Sequence, residues 1–233
     1  MAGPSSRDGR PDADGTGRRL AGAPTLRIER HLLRSGVTRL GAMDEVGRGS
    51  PAGPLHVGLV VMDATTGRPP VGIRDSKLLA AATRERLVPQ IEAWAVAAAV
   101  GAATSGEIDA LGLTGALRLA GTRALAQVGP SPDLVLLDGI HDWLTDDDPP
   151  DGGIGRPVVL TRVKADRTCT SVAAASILAK VARDAVMVGL AGDYPAYGWE
   201  ANKGYGTEAH FAAIRRLGTT PHHRLSWRLP ERA

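Results

Sequence analysis

The sequence predicts an α/β domain in which helices cover a central β-sheet. Two segments, 55–63 and 133–139, are nearly continuous apolar runs, as expected of strands that are covered on both faces. The sequence contains neither an internal repeat nor a linker between two halves. One α/β domain therefore explains most of the 233 residues better than two small domains do.

The first 24 residues are expected to form a disordered tail. They are rich in Gly, Pro, Ser, Asp and Arg and contain almost no apolar side chain that a core could bury. The folded domain is then expected to span 25–233. It begins with "TLRIERHLLRSG", which has the pattern of a short amphipathic helix that ends at Gly36.

The remaining elements follow from apolar runs and from helical patterns. Four helices are predicted at 83–94, 107–127, 171–191 and 207–217, the last with Thr207 as N-cap and Gly218 at its end. An exposed loop is expected at "DDDPPDGG", 146–153. The predicted strands, in chain order, are "RLGAMDE", "LHVGLVVMD", "AVAAAVGAAT", "DLVLLDG" and "PVVLTRVKAD".

Charge, cysteine content and hydropathy limit the classes of protein to which this chain could belong. A formal charge of +3 and a pI near 9.3 mildly favour a polyanionic partner. Cys169 is the single cysteine, so an internal disulfide is excluded and a reducing compartment is expected. No secretory signal and no apolar run of about 20 residues is present. We therefore expect a cytoplasmic protein without a membrane span.

Four acidic residues close predicted strands, where α/β sheets collect functional groups from distant parts of the chain. Asp44 and Glu45 end the first strand, Asp138 ends "DLVLLDG" and Asp166 follows "PVVLTRVKAD". Any one of them could simply cap a turn. Brought together, four carboxylates repel one another and resist ionisation, which a divalent cation with oxygen ligands would relieve.

The segment "GRGSPAG" follows the first two acids and is strongly bent. Adjacent strand residues point to opposite faces, so a bend at Gly47 and Gly49 is expected to bring Asp44 and Glu45 into one pocket. The glycines also allow the backbone to approach a ligand closely. A dinucleotide-binding loop is excluded, because its third glycine would stand one place late and Pro51 opposes the start of a helix.

Several long motifs, in the same order along the chain, resemble the type 2 ribonucleases H, in particular bacterial ribonuclease HII. The resemblance extends over about 38–228. It rests on six segments: "DEVGRGSPAGP", "DSKLL" at 75–79, "DG" at 138, "VKADRTCTSVAAASILAKVARD" at 163–184, "NKGYGTEAH" at 202–210 and "GTTPHHRLSW" at 218–227.

The resemblance implies a ribonuclease H-like fold, with a central mixed sheet flanked by helices and a helical C-terminal part. It implies endonucleolytic cleavage of RNA in RNA–DNA hybrids and at single ribonucleotides in duplex DNA, which leaves 5′-phosphate and 3′-hydroxyl ends. The reaction would need Mn²⁺ or Mg²⁺ and would serve ribonucleotide removal in DNA replication and repair. Mapped by motif, the catalytic and metal-binding residues are Asp44, Glu45, Asp138 and Asp166.

The resemblance also implies substrate contacts. The Gly47-Arg48-Gly49 backbone would contact the ribose 2′-hydroxyl, and Tyr205 would pack against the sugar at the RNA–DNA junction. Ser76 either contacts phosphate through its hydroxyl or only caps a helix. We expect a monomer, and a contact with a sliding clamp stays open. The candidate phosphate contacts are Lys77, Lys180, Arg183 and Lys203.

Two alternatives and some departures accompany this interpretation. A noncatalytic nucleic-acid-binding module of the same fold is disfavoured, because acids near phosphate would only weaken binding. A thiol hydrolase would use Cys169 with His222 or His223, although lone cysteines are usually buried. Many members of the family have Gly at Ala165 and His at Asn202. These departures affect substrate preference rather than the carboxylates.

Overall fold

The computed structural model describes residues 23–145 and 157–232, and a five-stranded mixed sheet forms its centre. The strand order is β3-β2-β1-β4-β5. β1 pairs antiparallel with β2 and parallel with β4, and β5 continues the parallel side. The predicted mixed sheet is therefore confirmed. Its strands are β1 (Leu40–Val46), β2 (Leu55–Met62), β3 (Ala97–Ala103), β4 (Leu134–Asp138) and β5 (Val158–Arg162).

The predicted helices are all present, and their ends differ from the prediction by a few residues. Two short helices, α4 and α6, were not predicted, because a single turn is too short to show helical periodicity. No helix in the described ranges is both long and apolar enough to span a membrane. The helices are α1 (Arg27–Arg34), α2 (Ala81–Trp94), α3 (Ser105–Leu125), α4 (Ala165–Thr168), α5 (Thr170–Asp193), α6 (Trp199–Asn202) and α7 (Glu208–Leu217).

Two predictions fall on residues that the structure does not describe. The loop expected at 146–153 lies outside the described residues, as do residues 1–22 of the expected tail. A third prediction is wrong in extent, because β5 ends at Arg162 and the residues that follow do not continue the strand.

The core lies on both faces of the sheet, and alternate residues of β2 supply each face. All eight residues of β2 are buried. Leu55, Val57 and Leu59 pack with residues of α3, whereas Val60 and Met62 pack with residues of α2 and α5. This alternation follows from the two-residue period of a strand. The continuous apolar run of β2 is therefore explained by cover on both sides.

Helices α5 and α3 touch the sheet through its glycines. A Cβ atom at Gly58 would lie 2.1 Å from the carbonyl oxygen of Ala175 in α5. A Cβ at Gly101 would lie 2.0 Å from the carbonyl oxygen of Ala120 in α3. Both helices are rich in alanine at this contact, so the backbone of each helix packs closely against the backbone of the sheet. A core with few aromatic residues is filled in this way.

The C-terminal part is helical, as predicted, and packs against α5 around one aromatic cluster. Trp199 is fully buried there, with Tyr197 stacked on it at 5.3 Å between ring centroids. Met187 of α5 and Ala52 of the loop after β1 belong to the same cluster. The C-terminal helices are thereby held beside the loop that follows β1.

Candidate active site

Asp44 and Asp138 lie side by side because β1 and β4 are parallel. The last pair in their register is Met43 with Leu137, and the two acids follow that pair directly. Parallel neighbours end at the same edge of a sheet. The strand-end argument therefore placed these two acids correctly. Asp44 is buried, and its Oδ1 accepts the peptide N–H of Glu45 at 2.9 Å.

Asp166 reaches this edge by a different route from the one predicted. It lies in the first turn of α4 rather than at the end of a strand. Lys164 takes the left-handed conformation, with φ of 56°, and turns the chain into α4. The N–H of Ala165 then donates to Asp138 Oδ1 at 2.6 Å. This hydrogen bond fixes α4 at the end of β4.

Glu45 does not share the face of Asp44, which corrects the expected bend. β1 stays regular through Val46, with Asp44 opposite Gly58 and Glu45 opposite Val57. The bend begins only at Gly47, after both acids. Burial raises the pKa of Glu45, and Arg48 opposes that shift. Glu45 is still electrostatically coupled to the group, since the charge of Asp138 adds to the rise.

The acids destabilise one another in the absence of a cation. Burial, followed by the charges of Glu45, Asp138 and Asp166, raises the pKa of Asp44 to about 8, although a hydrogen bond from Ser176 opposes the shift. Burial and the charge of Asp138 also raise the pKa of Asp166. These shifts are the expected consequence of desolvated like charges.

This donor set fits a divalent cation. Glu45 Oε2 is buried and has no hydrogen-bond partner in the described parts of the chain, while Glu45 Oε1 lies 3.2 Å from Arg48 Nη1. Among the described residues, no group of three or more acids, histidines or cysteines is arranged so that it could hold a metal ion by itself. Mg²⁺ usually keeps several waters and takes only a few carboxylates, together with substrate phosphates. The predicted ligands therefore suit a cation that is bound jointly with substrate.

A further buried acid, Asp75, was missed by the sequence argument. It is 2% exposed, and its charge contributes to the raised pKa of Asp166. Its Oδ1 accepts the N–H of Lys77 at 3.0 Å, and Arg167 Nε lies 3.5 Å from its Oδ2. The sequence did indicate this residue, since Asp75 is the first residue of the "DSKLL" motif. Only Ser76 and Lys77 of that motif were chosen as candidate site residues.

Two fully buried arginines support the Gly47-Arg48-Gly49 loop from behind. Arg224 donates to the carbonyl oxygens of Gly47, Arg48 and Gly53 at 2.6, 3.0 and 3.2 Å. Arg183 donates from Nε to the carbonyl oxygen of Pro54 at 2.9 Å. These contacts occupy the carbonyl side of the loop.

The loop leaves its peptide donors free. Arg48 and Gly49 are exposed, and within the described residues no acceptor meets the N–H of either one. Gly47 takes φ of 89°, and a Cβ there would lie 2.2 Å from Arg183 Nε. A side chain is therefore excluded at Gly47 both by conformation and by space.

Tyr205 lies beside this loop and shares Arg183 with it. The Arg183 guanidinium sits 5.1 Å from the centre of the Tyr205 ring and also donates to the carbonyl oxygen of Lys203 at 2.9 Å. The N–H of Ala52 donates to the carbonyl oxygen of Gly204 at 3.3 Å. Tyr205 keeps 37% of its surface exposed. The structure thus brings together the two segments that the resemblance assigned to sugar recognition.

Several predicted phosphate contacts are corrected. Arg183 is fully buried and cannot reach a phosphate, because its guanidinium donates to loop oxygens. Ser76 is also buried and shares a hydrogen bond with Ser176 Oγ at 2.8 Å. The ammonium of Lys180 is paired with Asp184, and that of Lys203 donates to the carbonyl oxygen of Glu200. Among the five, Lys77 alone is exposed and makes no side-chain hydrogen bond or ion pair with the described residues, although its charge lowers the pKa of Asp166.

The thiol hydrolase alternative is wrong. Cys169 is fully buried, and desolvation raises the pKa of its thiol to about 11, so that it stays protonated. His223 is engaged by Thr220, and His222 packs against the rings of Tyr194 and Trp199.

Solved structures share this architecture. Ribonuclease H2 from Pyrococcus horikoshii OT3 is 25% identical, with a TM-score of 0.63 over 82% of this chain and 94% of that chain. A ribonuclease HIII (Bst-RNase HIII), solved in complex with Mn²⁺, is 23% identical, with a TM-score of 0.59 over 85% and 69%. Together with the acids at the sheet edge, this fold defines a nuclease of the ribonuclease H class.

The sequence comparisons narrow the class to one family. The family model described as ribonuclease HII matches residues 40–229, close to the extent of the predicted resemblance. The ribonuclease HII of Streptomyces coelicolor is 46% identical over 88% of this chain and 83% of the relative. The chain belongs to the ribonuclease HII family. It is an endoribonuclease that acts on RNA paired with DNA, and its fold family is metal-dependent.

Proposed function

We propose that the protein cleaves at single ribonucleotides embedded in duplex DNA as well as within RNA–DNA hybrids, leaving 5′-phosphate and 3′-hydroxyl ends. The observation that carries this proposal is the Gly47-Arg48-Gly49 loop, which is fixed by buried arginines and offers free peptide donors next to Tyr205. Such a site is built around one sugar. The activity would remove ribonucleotides from DNA during replication and repair.

Asp44, Glu45, Asp138 and Asp166 are the proposed ligands of Mn²⁺ or Mg²⁺. Two such ions would activate the attacking water and neutralise the leaving 3′-oxygen of an in-line displacement. The chain's part is to hold four acids in place before substrate arrives. Asp138 is oriented by the N–H of Ala165, and Asp44 by the N–H of Glu45. Their mutual repulsion favours cation binding.

The peptide N–H groups of Arg48 and Gly49 are proposed to donate to the 2′-hydroxyl oxygen. Tyr205 would place the exposed part of its ring against the neighbouring sugar, with Arg183 supporting the ring from within. Lys77 is the proposed phosphate contact near the acids. Phosphate contacts position the duplex, whereas the 2′-hydroxyl contact distinguishes RNA from DNA.

The test of substrate and chemistry uses three matched duplexes: all DNA, DNA with one ribonucleotide, and an RNA–DNA hybrid. With Mn²⁺ or Mg²⁺ we expect a cut on the 5′ side of the ribonucleotide, none in all-DNA duplex, and none with EDTA. Asp138→Asn should lose activity by orders of magnitude, whereas Asp193→Asn, which removes an exposed charge at the end of α5, should not. Cleavage of the hybrid alone would contradict the proposed substrate.

The test of sugar recognition is Tyr205→Ala at fixed salt. This variant should lose cleavage at a lone ribonucleotide far more than it loses duplex binding, because phosphate contacts dominate binding. Equal activity of the variant and the wild type on the single-ribonucleotide duplex would disprove the role of Tyr205 and leave the metal site unaffected.

A further inference from the structure

Two buried histidines, His210 of α7 and His223, lie behind the Tyr205 segment, away from the acids. His210 is 0% and His223 is 1% exposed. Their Nε2 atoms are 3.2 Å apart. Nothing in the proposed chemistry uses these rings, and a buried imidazole needs a partner for each of its nitrogens. Which nitrogen carries each proton follows from the neighbours.

The neighbours of His223 fix its tautomer. The peptide N–H of Thr220, which can only donate, lies 2.9 Å from His223 Nδ1. His223 Nδ1 is therefore an acceptor, and in the neutral ring the proton is on Nε2. That proton faces His210 Nε2.

The neighbours of His210 fix the complementary tautomer. The indole Nε1–H of Trp199, again only a donor, lies 3.0 Å from His210 Nε2. His210 Nε2 therefore accepts, from both Trp199 and His223. The proton of His210 is then on Nδ1, which lies 2.9 Å from the carbonyl oxygen of Tyr205. A carbonyl oxygen can only accept, so this contact requires the proton on Nδ1, while the single lone pair of His210 Nε2 is shared between the Trp199 and His223 donors. The hydroxyl of Thr220, 3.0 Å from His223 Nδ1, can donate to it as well.

We propose that His210 and His223 are positioning residues, which form a one-directional relay of hydrogen bonds from Thr220 to the main chain of Tyr205. The proposal rests on the proposed function, because it assigns the relay to sugar recognition by Tyr205. The relay completes a set of donors on three successive carbonyl groups. The Arg183 side chain donates to the carbonyl oxygen of Lys203, and the N–H of Ala52 donates to the carbonyl oxygen of Gly204. His210 donates to the carbonyl oxygen of Tyr205.

The electrostatics of the two rings support the neutral relay. Burial lowers the pKa of His210, and burial together with the neighbouring His210 and His222 lowers the pKa of His223 to about 4, although a backbone hydrogen bond with Thr220 opposes that shift. A proton added to His223 Nδ1 would face the N–H of Thr220, and one added to His210 Nε2 would face the Trp199 N–H. The surrounding donors therefore select neutral rings with one defined orientation.

The relay is tested by a matched pair of substitutions at one position. Asparagine places its side-chain NH₂ roughly where His210 Nδ1 lies, and glutamine places its own roughly where Nε2 lies. His210→Asn therefore keeps the side-chain donor to the Tyr205 carbonyl oxygen, whereas His210→Gln leaves it only the N–H of Thr207, which donates at 2.9 Å. Both variants remove the imidazole, but glutamine fills more of its space than asparagine, so a loss of packing alone would harm His210→Asn more than His210→Gln. The readout is kcat/KM at a single ribonucleotide divided by kcat/KM on a long RNA–DNA hybrid.

We expect His210→Asn to keep this ratio and His210→Gln to lower it about tenfold, the size of effect expected when one buried hydrogen bond is lost. Equal ratios in the two variants, whether normal or reduced, would overturn the proposal. The wild-type protein supplies a second test that needs no variant. Nitrogen NMR should show His210 protonated on Nδ1 and His223 on Nε2, and the opposite tautomers would overturn the relay.

Failure of the proposed function gives a different result. A wild-type protein that cleaves the hybrid but ignores the single ribonucleotide would contradict the proposed substrate. The relay would then be judged by the tautomers and by KM on the hybrid, where His210→Gln should still be worse than His210→Asn.

Discussion

Asp44 is buried close to other acids, and its raised pKa makes the stability of the protein depend on pH. A carboxyl group whose pKa is about 8 in the folded protein and near 4 in the unfolded chain binds its proton more tightly when folded. Unfolding then releases that proton, so the contribution of Asp44 to stability is present at low pH and is lost as pH rises from about 4 to about 8. Without a cation, Asp44 destabilises the neutral-pH protein.

Asp44→Asn should therefore raise the melting temperature at pH 8 in EDTA while abolishing cleavage. Asparagine keeps the oxygen that accepts the Glu45 N–H but removes the ionisable group. A gain of about 1–2 kcal/mol would correspond to a rise of roughly 2–8 °C for a domain of this size. At pH 4 the difference from wild type should shrink. A variant that melts lower than wild type at pH 8 would contradict the burial of this charge.

Arg224 is the second residue whose side-chain chemistry matters, since one planar guanidinium donates to the carbonyl oxygens of Gly47, Arg48 and Gly53. Arg224→Lys keeps the charge but supplies a single ammonium, which cannot reproduce that geometry. We expect a loss of about 1–3 kcal/mol of unfolding free energy, as for buried carbonyls left unpaired, and a lower kcat/KM at a single ribonucleotide. Denaturant titration and cleavage kinetics measure the two effects.

The control for this variant is Arg228→Lys, at an exposed position four residues later. It should change neither stability nor kinetics. If Arg224→Lys behaved like Arg228→Lys, the loop would not depend on the buried guanidinium.

At the scale of elements, the contact between β2 and α5 leaves no room for a side chain. Gly58→Ala would place a methyl group 2.1 Å from the carbonyl oxygen of Ala175, so the helix must move. We expect a loss of about 1–3 kcal/mol or more of unfolding free energy, because overpacking strains the backbone. Gly189→Ala in α5, where no atom lies within 4 Å of the new Cβ, should instead stabilise by about 0.5–1 kcal/mol. If chemical denaturation shows a lower unfolding free energy for Gly58→Ala and a higher one for Gly189→Ala, the close contact between β2 and α5 is supported.

The elements also show why the sequence was informative in some places and not in others. β2 and β4 were predictable because burial on both faces leaves a continuous apolar run. The end of β5 was not, because the turn depends on Lys164 in a left-handed conformation that no local pattern indicates. Arg183 was taken for a surface cation, since sequence shows a charge but not the four oxygen acceptors that surround it.

At the scale of the whole molecule, α1 belongs to the domain although it precedes the matched region, 40–229. Glu29 is fully buried, and its Oε1 accepts both the N–H and the hydroxyl of Ser171 at 2.9 Å. Thr25 bridges to Cys169. The start of the long helix α5 is therefore completed by residues from the N-terminal end of the described chain.

Two truncations test this boundary. Removal of residues 1–22 should leave the melting temperature unchanged, in keeping with the tail predicted from composition. Removal of residues 1–36 deletes α1 and should lower the melting temperature by several degrees or prevent folding, because it leaves the Ser171 N–H and the neighbouring core uncovered. Equal melting of the two truncated proteins would show that α1 is dispensable.

The contact between Arg224 and Gly47 joins residues that are 177 positions apart in the sequence. During synthesis the loop is therefore made well before the arginine that supports it. The growing chain carries Asp44, Asp138 and Asp166 well before it carries the side chain that holds Gly47 and Arg48. A growing chain that has not yet reached Arg224 therefore has its acids but lacks the guanidinium that holds the carbonyl groups of Gly47 and Arg48. The loop can take its supported form only after residue 224 has been added.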